Sequence, residues 1–71
     1  MYFTSNLKFL RKRKRRTQED VSAALGIKRP TYNGYENGVA EPSIDTLIAC
    51  SKYFNISIDS LVRVDLTQLS E

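Results

Sequence analysis

Six cations stand in a row, Arg11-Lys12-Arg13-Lys14-Arg15-Arg16, and Lys28 and Arg29 follow further along the chain. Residues of this type at this density do one kind of chemistry: they hold a polyanion. Residues 1–35 carry nine cations against two anions, and residues 36–71 carry two against six. The formal charge is therefore split into poles of +7 and −4, which sum to +3. Nucleic acid or an anionic membrane surface would be drawn to the basic pole. A solvated basic helix face explains the same run without a ligand. Other chemistries lack their residues. There is no histidine, so a zinc cluster, a Ser-His-Asp triad and a Cys-His pair are excluded within this chain. Cys50 is the single cysteine and forms no internal disulfide, which suits a reducing cytoplasm. It reads as a small apolar core residue, not a redox sensor. No pair of carboxylates suggests acid–base work. The expectation is therefore no catalytic residue, no metal, no cofactor and no evident small-molecule substrate.

These residues need elements to position them. Seventy-one residues make one domain, and a chain of this size buries roughly 60% of its unfolded surface, enough for one small core. With 41% hydrophobic and 27% charged residues the composition is that of an ordinary folded domain. The longest apolar run, Leu47-Ile48-Ala49-Cys50, is too short for a transmembrane helix or a signal h-region. Phe3, Leu7 and Leu10 fall on one helical face, with Thr4 or Ser5 as a candidate cap and an end near Lys14. Thr17 and Asp20 have the spacing of a capping box, Val21, Ala24 and Leu25 share a face, and Gly26 stops the helix. Pro30 opens a third helix that places Tyr32 and Tyr35 toward a core and ends at Asn37-Gly38. Ser43 caps a fourth helix with an apolar stripe of Ile44, Leu47, Ile48, Ser51 and Phe54, and Asn55 ends it. Ser57 caps a short fifth helix with Ile58, Leu61 and Val62. Asp45 and Asp59 suit the positive ends of those two helices. No strand pattern competes.

The pattern Thr17-Gln18-Glu19-Asp20-Val21-Ser22-Ala23-Ala24-Leu25-Gly26-Ile27, then Tyr32, then Tyr35-Glu36-Asn37-Gly38, then Pro42-Ser43 resembles the phage repressor/Cro family, also called the xenobiotic-response-element (XRE) helix-turn-helix family. The resemblance reaches from Leu7, Leu10 and Arg11 to Leu47, Phe54 and Ser57-Ile58-Asp59-Ser60-Leu61, about residues 5–63. It implies an all-α fold, a compact five-helix lambda-repressor-like bundle containing a helix-turn-helix. The domain is expected over residues 1–63. Residues 64–71 are expected to be a tail with apolar Val64, Leu66 and Leu69, serving as a dimer contact, folding back, or leading into a further segment.

The same resemblance implies site residues. Helix three, about residues 28–37, would enter the major groove with helix two across its mouth. Base contacts would come from Lys28, Arg29, Pro30 and Asn33: the two cations suit guanine, the proline a thymine methyl, and the asparagine adenine. Gly34 matches a position where relatives often carry a long polar reader, which is absent here. Phosphate contacts would come from Thr17, Gln18, Asn37, Gly38, Arg13 and Arg16. Arg11 and Glu36 match a structural salt bridge joining helix one to the end of helix three. Lys28 stands where a capping hydroxyl is usual, and Arg16 where an apolar residue is usual.

The expected function is a sequence-specific, double-stranded DNA-binding transcriptional regulator acting as a repressor. It would be cytoplasmic, of bacterial or phage type, associated with the nucleoid and not with a membrane. A homodimer on half-sites about 34 Å apart is the usual solution for so small a module, with the contact expected from the tail or from the outer face of helices four and five. The rival is an antitoxin or protein-interaction module using the same fold. An enzyme would need chemistry from a domain beyond this chain.

Overall fold

The computed structural model describes residues 2–68, so Leu69 of the expected tail lies outside the described residues. The elements are α1 (Phe3–Arg13), α2 (Gln18–Leu25), α3 (Arg29–Asn37), α4 (Ile44–Phe54), α5 (Ile58–Arg63) and a closing 3-10 turn (Leu66–Gln68). No strand occurs among the described residues.

Hydroxyl caps set most of the starts. The Asp20 N–H donates to Thr17 Oγ1 at 3.0 Å, and the Thr17 N–H donates to the Asp20 carboxylate at 2.9 Å. Two donors that a helix start leaves unpaired are thus satisfied reciprocally. Ser43 and Ser57 accept from the N–H groups of Thr46 and Ser60 at 3.1 and 3.0 Å. Helix α1 departs from expectation: it begins at Phe3, and neither Thr4 nor Ser5 caps it. A tertiary bond sets its start instead, because the Tyr2 N–H donates to the Val62 carbonyl of α5 at 2.9 Å.

Helices α1 to α4 all end on a residue with positive φ: Arg15 (61°), Gly26 (72°), Gly38 (76°) and Asn55 (54°). In each case the next N–H reaches back to close the last turn: Arg16 to Arg11, Ile27 to Ser22, Val39 to Gly34 and Ile56 to Ser51, at 3.0–3.1 Å. This is the Schellman arrangement. Glycine and asparagine enter the left-handed region cheaply, and Arg15 does so at a cost.

The core joins Phe3, Leu7 and Leu10 of α1 to Val21, Tyr32, Tyr35, Cys50, Leu61 and Leu66. Phe3 meets Tyr35 edge to face at 6.2 Å. The expected stripe of α4 is corrected here. Cys50 is buried, with Leu47 and Phe54 packed against the core, whereas Ile44 and Ile48 are 70% and 38% exposed. The helix is rotated so that the inward face runs through Cys50, and the two isoleucines share a neighbouring outer face.

The chain past residue 63 does not leave the domain surface at once. Asn6, fully buried in α1, donates to the carbonyls of Leu61 (2.8 Å) and Val64 (2.6 Å) and accepts the Leu66 N–H at 3.0 Å. Leu66 is thereby held in the core and Val64 packs against it. Of the outcomes open to those two residues, folding back is the one observed.

Candidate nucleic-acid interface

Helices α2 and α3 pack against each other. Ser22 is buried and satisfies its hydroxyl on the Glu19 carbonyl at 3.1 Å. Gly26 then turns the chain, and α3 starts two residues after Ile27 with Pro30 in its first turn, where a missing N–H costs nothing. Lys28 takes the cap position in extended conformation with no side-chain cap bond. Helix α3 is two-faced. Tyr32, Gly34, Tyr35 and Glu36 are buried, while Lys28, Arg29, Pro30, Thr31, Asn33 and Asn37 are exposed on and beside it. An open groove of about 310 Å³ is lined by Gln18, Arg29, Pro30 and Asn33. Three of the four expected base readers therefore share one groove. Lys28 precedes it at the helix start.

Glu36 ties this surface together from behind. Arg11 clasps its carboxylate with two bonds, Nε to Oε2 at 2.7 Å and Nη2 to Oε1 at 3.1 Å. The Tyr32 hydroxyl donates to Oε2, and Gln18 Nε2 donates to Oε1 at 3.0 Å. Arg11 Nη1 also holds the Arg16 carbonyl at 2.9 Å. One buried carboxylate thus joins α1, the start of α2 and the end of α3. Burial pushes the Glu36 carboxyl up, but the bonds from Arg11, Tyr32 and Gln18 outweigh it and hold the group below its ordinary value. Burial and the neighbouring carboxylate push the Tyr32 phenol well above its usual range.

The other expected site residues fall in different places. Thr17 keeps a hydroxyl proton free, since its oxygen acts as acceptor in the capping box. Arg16 is exposed immediately before it. Asn37 is exposed at the far end of α3, with Gly38 turning the chain after it. Gln18 commits its side-chain amide protons to Glu36 on the buried side and to the exposed Asn33 Oδ1, each at 3.0 Å. Its backbone N–H at the start of α2 remains the donor suited to a phosphate. Arg13 is not brought to the groove. It lies 5.4 Å over the Phe9 ring and borders a separate hollow with Leu10, Lys14 and Phe54. A helix turns 100° per residue, so Arg13 points far from Arg11, which faces α3.

Gly34 has a role that its lack of a side chain did not reveal. A Cβ there would meet the Ala40 Cβ at 3.3 Å and Val39 Cγ2 at 3.4 Å. The loop after α3 crosses this point closely, with the Val39 and Ala40 N–H groups on the Gly34 carbonyl at 3.0 and 3.3 Å. Two features are not evident from residue type: the buried hydrogen-bonding role of Asn6 and the left-handed backbone of Arg15, a residue expected only as a further candidate phosphate contact. Asn6 was findable, since it sits on the Phe3–Leu7–Leu10 face where a polar residue needs a partner. Cys50 is buried and burial raises its thiol to about 11, which makes it unreactive.

A helix, a left-handed glycine turn and a second helix with a cationic outer face define a helix-turn-helix module. A protein-family model described as "Helix-turn-helix" matches residues 7–61, and the chain belongs to that family. It is 44% identical over 61 residues to an uncharacterized HTH-type transcriptional regulator, YqaE, of Bacillus subtilis (strain 168), covering 86% of this chain and 53% of that protein. It is 30% identical over 69 residues to the cryptic phage CTXphi transcriptional repressor RstR of Vibrio cholerae, covering 97% of this chain and 62% of that protein. The crystal structure of a transcriptional regulator from Listeria innocua superposes with a TM-score of 0.80 at 30% identity, over 97% of this chain and 61% of that one. The chain thus spans between half and two-thirds of the length of these relatives. No helix among the described residues is long and apolar enough to cross a membrane.

Proposed function

We propose that this chain is a double-stranded DNA-binding transcriptional regulator that reads the major groove with α3 and represses by occupying its site. The observation that carries this reading is the two-faced α3. Its inner face is locked to α1 and α2 through Glu36, and its outer face offers Lys28, Arg29, Pro30 and Asn33 beside the start of α2. Relatives named as regulators and as a phage repressor support it. Phosphate contacts at the start of α2 and around Asn37 would set the register, and α3 would supply sequence preference. The role is recognition, not catalysis. A homodimer fits a module this small, and Ile44 and Ile48, one turn apart on the outside of α4, are the exposed apolar pair it would use.

The test is selection from a random duplex pool at two salt concentrations, with wild type and Arg29→Ala. A pseudo-palindromic motif, altered at one position per half-site in the variant, with steep salt dependence in both proteins, is the expected result. Salt-sensitive binding with no motif, unchanged by the substitution, would refute base reading and leave a generic basic module.

A further inference from the structure

We infer that Glu36, acting through Gln18, fixes Asn33 as a hydrogen-bond donor toward DNA and so biases the half-site toward base edges that accept. This rests on the reading of α3 as the base-reading helix. The chain of logic starts at the buried end. Glu36 is clasped by Arg11 as a carboxylate, so both its oxygens only accept. The Gln18 atom 3.0 Å from Glu36 Oε1 must then be the amide nitrogen. That same nitrogen lies 3.0 Å from the Asn33 side chain, where its second proton requires an acceptor. Asn33 therefore turns Oδ1 toward Gln18. Asn33 Nδ2 has no partner among the described residues and is left for the open groove that Asn33 lines with Arg29 and Pro30. An amide's oxygen and nitrogen are hard to tell apart by shape, and here the carboxylate decides which is which.

The consequence for DNA is specific. A free asparagine pairs with adenine by accepting from N6 and donating to N7, which needs both amide ends facing the base. With Oδ1 held back on Gln18, only the donating end is presented. A donor suits guanine O6 and N7 or thymine O4; at adenine it can reach N7 only beside the N6 amino group, which stands donor against donor now that Oδ1 is held back, and at cytosine it meets only the N4 donor. Lys28 and Arg29 are likewise donors with no acceptor. Lys28, Arg29 and Asn33 thus present protons only, and the bases beneath them are expected to be guanine or thymine on the contacted strand. Residue type alone assigns adenine to Asn33; its partner changes the base.

The experiment is the same duplex selection, run with wild type, Asn33→Ala, Gln18→Met and Gln18→Lys. Asn33→Ala identifies the base position that Asn33 reads. Methionine matches the length of glutamine and donates nothing, whereas lysine still offers protons to both Asn33 and Glu36. Wild type and Gln18→Lys are expected to prefer guanine or thymine over adenine there by about tenfold, within the range of one good base contact. Gln18→Met is expected to lose that preference or shift to adenine while the Arg29 position keeps its base. A purely structural loss would weaken all positions together. In the free protein, NMR exchange of the side-chain amides is expected to show the Gln18 NH2 protected and the Asn33 NH2 open. Adenine under Asn33 in wild type, an unchanged preference in Gln18→Met, or protection on Asn33 in place of Gln18 would each overturn the inference. If the amide pattern holds but wild type selects no motif, the reading of α3 as a base reader fails, and the base preference fails with it.

Discussion

Glu36→Gln keeps the shape of the side chain and removes its charge, so it tests whether one carboxylate holds the DNA-facing surface to the rest of the fold. The site is 5% exposed and receives bonds from Arg11, Gln18 and Tyr32. However the new amide turns, its NH2 faces either Arg11 Nε and the Tyr32 hydroxyl or Arg11 Nη2 and Gln18 Nε2. At least one donor then meets a donor. Breaking a buried ion pair from one side costs about 3–5 kcal/mol. The Arg11 side chain keeps 12% of its exposure and regains some water, and the Tyr32 hydroxyl can rotate to accept, so a loss of about 2–3 kcal/mol is expected. For a domain of this size that lowers Tm by roughly 10–20 °C. A total stability of about 4–11 kcal/mol leaves the variant folded at room temperature.

The pH dependence supplies a second check. Burial acts to raise the Glu36 carboxyl, and the bonds from Arg11, Tyr32 and Gln18 more than reverse it, so the folded value lies below the unfolded one. A depressed carboxyl contributes stability that is present above its unfolded pKa, about 4.3, and is lost as pH falls through the folded value. Wild type therefore loses in acid what the glutamine variant never had, and the gap between them narrows below about pH 4. Urea unfolding followed by helix circular dichroism, from neutral pH down to about pH 3, measures both effects. A neutral-pH difference under about 1 kcal/mol, the worth of an exposed pair, would refute the account, as would a gap that stays constant into acid.

Two further substitutions probe what positions this network. Asn6→Ala leaves the Leu61 and Val64 carbonyls and the Leu66 N–H without their partner, each costing about 1–3 kcal/mol, so a loss of at least about 3 kcal/mol in urea unfolding is expected, with faster proteolysis after Val64. Unchanged stability would mean that the chain beyond α5 does not depend on Asn6. Arg15→Gly relieves a left-handed arginine worth about 1–2 kcal/mol and loses about 0.4–1 kcal/mol through the looser unfolded chain, so a net gain of about 0.5 kcal/mol is expected. A lowered Tm would show that the Arg15 side chain contributes a contact that outweighs its backbone cost.

What could be read from the chain alone was local. Thr17 with Asp20, Ser43 and Ser57 announce helix starts because a cap needs only its own first turn. Gly26, Gly38 and Asn55 announce ends because the left-handed region selects residue types. What was missed depends on neighbours distant in sequence. Tyr2 sets the start of α1 through Val62, and Asn6 catches Leu66 from 60 residues away. Periodicity groups Ile44 and Ile48 with Leu47 and Phe54 in one apolar stripe of α4. Periodicity gives a stripe without saying which edge meets the core, and Cys50 decided it.

The site divides along the same line. Lys28, Arg29 and Pro30 could be placed on an exposed face from α3 alone, because Tyr32 and Tyr35 fix which side is inward. The Arg11–Glu36 bond, spanning 25 residues, came only from the family resemblance; nothing in the local pattern demands it. Asn33 shows why residue type is then insufficient. Its amide is symmetric in shape, so its chemistry toward DNA is undefined until something tells oxygen from nitrogen. That distinction is made by Glu36, which reaches Asn33 only through Gln18 on another helix. A carboxylate cannot donate, an amide nitrogen cannot accept, and these two facts propagate polarity from the core to the groove. Recognition at Asn33 is consequently a property of the folded network, and the base beneath it is where that network becomes measurable.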